Sequence, residues 1–210
     1  EGRSVSQLIE DIYKALLDSV GDANISSLGL KKGSYIRVAD RIKSIYNDAQ
    51  FICIIRDPRG VFSSKKYSIY TGTGKPFDED PIHAALVWSD YLECVLYLKS
   101  IYKDSVHIVK YEDILQDEEK TMKKISGYLD LPIDIQSRPF YIHSRYADIH
   151  KNATKSVMKS NDKWISTLLE CEISHIQFVC LEKMKEFGYS EYSKTGIKKK
   201  DFGKIGRAHV

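Results

Sequence analysis

No stretch of this chain approaches the roughly 18 to 20 consecutive apolar residues that a membrane-crossing helix needs; runs such as Phe51–Ile55 stop at five. No signal-peptide pattern opens it, although it begins at Glu1 rather than Met, which leaves an upstream signal anchor open. Cysteine is sparse. Cys53, Cys94, Cys171 and Cys180 form no C-x-x-C pair and have no His at zinc spacing, which argues against a zinc module or a disulfide scaffold and for reduced thiols. Such thiols fit a cytoplasmic protein without excluding a secretory one. Net charge is also small, at +3 over 210 residues. Residues 195–210 carry five Lys and Arg against a single Asp, so the rest of the chain is slightly acidic. Basicity confined to a tail gives no footprint for nucleic acid.

The 42 % apolar and 29 % charged composition is that of a globular chain long enough for one domain with a sizeable core. Apolar residues at three- and four-residue steps predict a packed amphipathic helix over 4–20. They predict further helices over about 35–47, 81–103, 118–131 and 166–187, with Pro81 opening the third and Gly188 closing the last. The segment 70–76, Tyr-Thr-Gly-Thr-Gly-Lys-Pro, lacks the G-x-x-x-x-G-K-[ST] spacing and reads as a surface or substrate-side loop. Residues 1–194 form the domain. Residues 195–210 are its basic tail, of which Ile205–Val210 reads as an adapter-derived scar.

The chemistry concentrates where Phe51–Ile55 meets Arg56-Asp57-Pro58-Arg59-Gly60-Val61-Phe62-Ser63-Ser64. Five apolar, β-branched residues read as a strand buried on both faces, as in a parallel α/β sheet. Ligands of such sheets bind beyond the carboxyl ends of the strands, where Arg56 would meet an anion. Asp57-Pro58 turns the chain into a helix, which brings Ser64 near its positive end. Arg56 and Ser64, eight residues apart, can grip one phosphate from two sides. The alternative is an ordinary strand-end ion pair between Arg56 and Asp57. A second strand over 106–113 ends in Lys110-Tyr111-Glu112-Asp113, where Glu112 and Asp113 are expected to cap the turn that follows. His83, in the first turn of the long helix, reads as structural before catalytic.

The run I-I-R-D-P-R-G-V-F-S-S resembles the 3′-phosphate-binding motif of the sulfotransferases. V-K-Y-E-D-I-L over 109–115 is similar to their Y-E-D-L segment, and Lys163-Trp164 with Met184-x-x-x-Gly188-Tyr189 to their closing pattern. The resemblance spans about 28–189. It implies an α/β, P-loop-NTPase-like three-layer fold with a central parallel sheet flanked by helices. The co-substrate it implies is 3′-phosphoadenosine 5′-phosphosulfate, with no metal. By the same resemblance Arg56 and Ser64 hold the 3′-phosphate and Tyr111 contacts the adenine side. Ser156, Lys159 and Lys163 belong to a basic segment over the nucleotide. Lys31, in Gly29-Leu30-Lys31-Lys32-Gly33, takes the place of a lysine that neutralises the leaving oxygen, with Gly33 where the family usually has Pro. The R-S-G-T-T turn that holds the sulfate end is missing, so an incomplete amino-terminal side is expected, with the isolated chain inactive. The implied reaction is sulfuryl transfer to a hydroxyl or amine of a glycan or small metabolite, with no nucleic-acid partner. A P-loop phosphotransferase fragment and a non-catalytic nucleotide-binding module are the alternatives, and a lost anchor would place the protein in the Golgi or secretory route.

Overall fold

The computed structural model describes residues 4–20, 27, 29–70, 72–132 and 162–194. Helix α1, Val5–Val20, starts on a reciprocal cap in which the Gln7 N–H donates to Ser4 Oγ (3.2 Å) and the Ser4 N–H to Gln7 Oε1 (2.9 Å). A 3-10 turn, Gly33–Val38, runs into α2, Ala39–Ile45. Strand β1, Phe51–Ile55, leads into α3, Pro58–Lys66, which Asp57 caps and Pro58 opens. A small antiparallel hairpin follows, β2 Ile69–Tyr70 with β3 Lys75–Pro76. The segment expected to be a loop therefore contains a short ladder. Helix α4, Pro81–Tyr102, is capped by Asp80, whose carboxylate accepts the Ile82 N–H at 2.8 Å and the His83 N–H at 3.3 Å.

Strand β4, Val106–Lys110, gives way at once to α5, Tyr111–Gln116, and α6, Glu118–Leu129. The strand is shorter than expected because Tyr111 already begins a helix. The carboxyl-terminal side holds α7, Lys163–Thr167, and α8, Glu170–Glu186. Helix α8 ends at Gly188, whose φ of +73° a side chain would strain.

β1 and β4 pair in parallel with Phe51 opposite Val106 and Ile55 opposite Lys110, joined through α3, the hairpin and α4. The core lies on one side of this sheet, where Cys53, Ile55, Phe62, Leu92, Val95, Ile173, Ile176 and Met184 are all buried. Burial pushes the Cys53 thiol up to about 11, so it behaves as a small apolar filler. All four cysteines are free.

Two expectations are corrected. β1 is not buried on both faces, since Ile52 and Ile54 remain 38 % and 51 % exposed. The pleat sends alternate residues to opposite faces, and on the second face Tyr128 of α6 stacks on His107 of β4 and reaches only the start of β1, where its hydroxyl donates to the Phe51 carbonyl at 3.5 Å. Nor, among its described side chains, does α1 pack as its pattern suggests. Its Leu8 and Ile12 are 51 % and 52 % exposed, and none of its described side chains joins the core. Periodicity fixes which side of a helix is apolar, not whether anything covers it.

Candidate functional site

The pairing register builds the site. Ile55 and Lys110 lie opposite each other, so the residues just beyond them, Arg56 and Tyr111, emerge side by side at the carboxyl end of the sheet. The Arg56 guanidinium carbon sits 4.5 Å from the centre of the Tyr111 ring, a cation–π stack. On its other side a Cβ added to Gly60 would come within 3.1 Å of Arg56 Nε. Backbone position is fixed too, because Trp88 Nε1–H of α4 donates to the Arg56 carbonyl at 2.9 Å.

Asp57 does not pair with Arg56. Its carboxylate caps α3 through the Arg59 N–H and takes the Arg59 guanidinium in a fork, with Nε at 2.9 Å and Nη2 at 2.6 Å. Arg59 also donates to Gln177 Oε1 at 2.8 Å and lies 4.1 Å over the Trp164 ring. Its charge and donors are thereby satisfied inside the protein. Arg56 is the opposite case. Its Nε is buried without a hydrogen-bond partner, and among the described residues no carboxylate pairs with it. A buried guanidinium donor left unsatisfied costs stability unless something outside the chain accepts from it. An oxyanion is the natural acceptor.

Ser64 is exposed one helical turn beyond Gly60, on the same stripe of α3 against which Arg56 rests. Ser63, its neighbour, is buried and bonded to Thr167 Oγ1 at 2.9 Å. The structure therefore brings Arg56 and Tyr111 into contact and leaves Ser64 open on the adjoining stripe. Lys31 is exposed before the 3-10 turn, and Lys163 is exposed at the first position of α7. Neither is joined to Arg56, Ser64 or Tyr111 by a hydrogen bond among the described residues. Ser156 and Lys159 lie outside the described residues.

The motif reading missed Glu112. Instead of capping its own turn, it accepts the Asp57 N–H on Oε1 (3.1 Å) and the Tyr189 hydroxyl on Oε2 (2.8 Å). One carboxylate thus ties the Arg56–Asp57 turn to the end of α8. Burial and this carboxylate push the Tyr189 hydroxyl pKa well up. The Lys110 ammonium completes the brace by donating to the Phe187 carbonyl at 2.7 Å while lying 4.7 Å over the Tyr189 ring. Sequence gives a hint only in the adjacency of Glu112 to Tyr111. A surface hollow of about 520 Å³ on α6, walled by Asp117, Glu119, Lys120, Lys123 and Lys124, shares no residue with this site.

These features define an α/β protein with a stacked guanidinium, its buried Nε without a partner, at the carboxyl ends of two parallel strands. The solved sulfotransferase domain from the curacin biosynthetic pathway has the same fold, with a TM-score of 0.61 over 88 % of this chain and 69 % of that one at 16 % identity. The sulfotransferase domain from the Synechococcus PCC 7002 olefin synthase does too, with a TM-score of 0.55 over 75 % and 56 % at 22 % identity. The sequence model of the sulfotransferase family matches residues 4–135, and the chain belongs to that family. Its match takes in α1, which lay outside the motif-based resemblance. Human carbohydrate sulfotransferase 1 is 25 % identical over 156 residues, covering 66 % of this chain and 38 % of the relative. The mouse protein of the same name shows the same figures. The chain thus spans under two fifths of the length of these curated relatives.

Proposed function

We propose that this chain forms the nucleotide-binding side of an enzyme that transfers a sulfuryl group from 3′-phosphoadenosine 5′-phosphosulfate to a hydroxyl or amine, with a glycan as the first acceptor to try. The observation that carries the reading is Arg56: a stacked guanidinium at a strand end with a buried, unpartnered Nε and no internal counter-charge among the described residues. Arg56 and Ser64 hold the 3′-phosphate, and Tyr111 braces the guanidinium and contacts the adenine side. Ser156, Lys159 and Lys163 supply positive charge over the nucleotide. Lys31 neutralises charge on the bridging oxygen as it leaves. The glycan choice rests on the relatives being carbohydrate sulfotransferases, and the position in the Golgi or secretory route would follow from the same kinship. Among the described residues no helix is long and apolar enough to cross a membrane.

Calorimetric titration with 3′,5′-bisphosphoadenosine, and with ATP for comparison, tests the reading. The bisphosphate is expected to bind in preference to ATP, and Arg56→Ala to weaken it by about 10- to 150-fold, the worth of about 1.5–3 kcal/mol for hydrogen bonds to a charged group. Equal or tighter binding of ATP, or an unchanged affinity in the variant, would remove the nucleotide assignment.

A further inference from the structure

A second polar group sits where α4 begins, and the phosphate crevice does not use it. The Asp78 side chain is only 7 % exposed, yet its carboxylate faces the imidazole of His83, with Oδ2 at 3.1 Å and Oδ1 at 3.3 Å from Nδ1. The Asp80 N–H donates to the same carboxylate at 3.3 Å, and Lys65 Nζ of α3 lies 3.8 Å from Oδ2. These are the charged and polar groups that face the pair from the loop, the cap and α3. His83 itself is 64 % exposed. A buried carboxylate facing Nδ1 favours the tautomer that carries its proton there, which leaves Nε2 able to accept one.

The pair is tied to the elements that carry Ser64 and hold Arg56. The Phe77 N–H donates to the carbonyls of Lys65 (3.2 Å) and Ser68 (3.1 Å), which docks Asp78 onto the end of α3. Lys65 directly follows Ser64, and Trp88, further along the helix that carries His83, holds the Arg56 carbonyl. The two sets of residues thus share α3 and α4. Beside Asp78 the exposed rings of Tyr70 and Phe77 lie 5.5 Å apart, an aromatic shelf of the kind on which a sugar ring can rest.

We propose that His83 is the proton acceptor for the group being sulfated and that Asp78 is its positioning partner; the assignment rests on the sulfuryl-transfer reading above. As the acceptor oxygen forms its bond to sulfur, its proton passes to His83 Nε2. The bond from sulfur to the bridging oxygen breaks, and that electron pair leaves on the 5′-phosphate of 3′,5′-bisphosphoadenosine. The imidazolium is balanced by Asp78 until it returns the proton to solvent. His83 would be a catalytic residue in the strict sense, touching the reacting oxygen.

The test uses the full-length protein and needs no knowledge of the natural acceptor, because water can take the acceptor's place. Breakdown of 3′-phosphoadenosine 5′-phosphosulfate to the bisphosphate and sulfate is followed from pH 5 to 9, with bisphosphate affinity measured alongside. His83→Gln is expected to slow breakdown by about 10²- to 10⁴-fold, the usual worth of a positioned general base. It should leave bisphosphate affinity unchanged and abolish the fall in rate toward acid pH. Asp78→Asn is expected to cost less and to move that acid limb rather than remove it. A rate within threefold of the parent, with the acid limb intact, overturns the role of His83 while leaving the nucleotide reading standing. Loss of affinity in Arg56→Ala with no loss of rate in His83→Gln overturns that role equally. No donor breakdown by the parent protein overturns both.

Discussion

Two arginines three residues apart meet opposite fates. Arg59 is enclosed between α3, α7 and α8, forked onto Asp57, bonded to Gln177 and stacked on Trp164. Arg56 is held just as firmly, between Tyr111 and Gly60, but nothing in the described chain answers its charge. The difference separates a cation that helps hold the fold together from one whose charge no described carboxylate answers. It also shows that the R-D-P-R motif is a division of labour, in which Asp57 neutralises the inner guanidinium and so leaves the outer one free.

The largest expected effect comes from exchanging those roles. Arg59→Met should cost about 3–5 kcal/mol in urea unfolding, since it strands a buried Asp57 without its partner, while Arg56→Met should cost far less or stabilise, since it removes a buried donor that has no partner. Similar losses at both positions would erase the distinction. A smaller contrast of the same kind lies in the adjacent serines. Ser63→Ala loses the bond to Thr167 and should cost about 1 kcal/mol, whereas Ser64→Ala should leave stability unchanged and weaken bisphosphate binding only. The smallest effect concerns the other face of the sheet. Burial first, then the Lys99 and Lys124 charges, lower the His107 pKa below its ordinary 6.5. A depressed histidine contributes stability that is complete above about pH 6.5 and is lost as pH falls through its folded value. Thermal unfolding should therefore weaken slightly on acidification through that window, and His107→Phe should flatten the response. An unchanged slope would show that the group is not coupled to folding.

Much of the architecture was legible in the chain. The helical repeat located α1, α4, α6 and α8 because an apolar face is written at fixed steps, and Pro58, Pro81 and Gly188 marked ends that backbone geometry enforces. The strand Phe51–Ile55 and the position of Arg56 beyond it were equally plain. Burial was less so. Five apolar residues suggested a strand covered on both sides, yet Ile52 and Ile54 face outward, because coverage depends on distant elements rather than on the strand's own residues. Glu112 read as a local cap and instead joins two segments far apart in the sequence.

Taken alone, the residues determined the long helices, the first parallel strand, the strand-end cation and the hydroxyl eight positions later, since each follows from local periodicity and turn chemistry. Which arginine Asp57 would neutralise, that Tyr111 would lie beneath the other, and that His83 would find Asp78 were decided only by the tertiary structure. The physical reason is that an Asp between two Arg is ambiguous in charge and reach. Parallel strand register and the packing of α4 on the end of α3 choose among the pairings, and both are long-range contacts that no short stretch encodes.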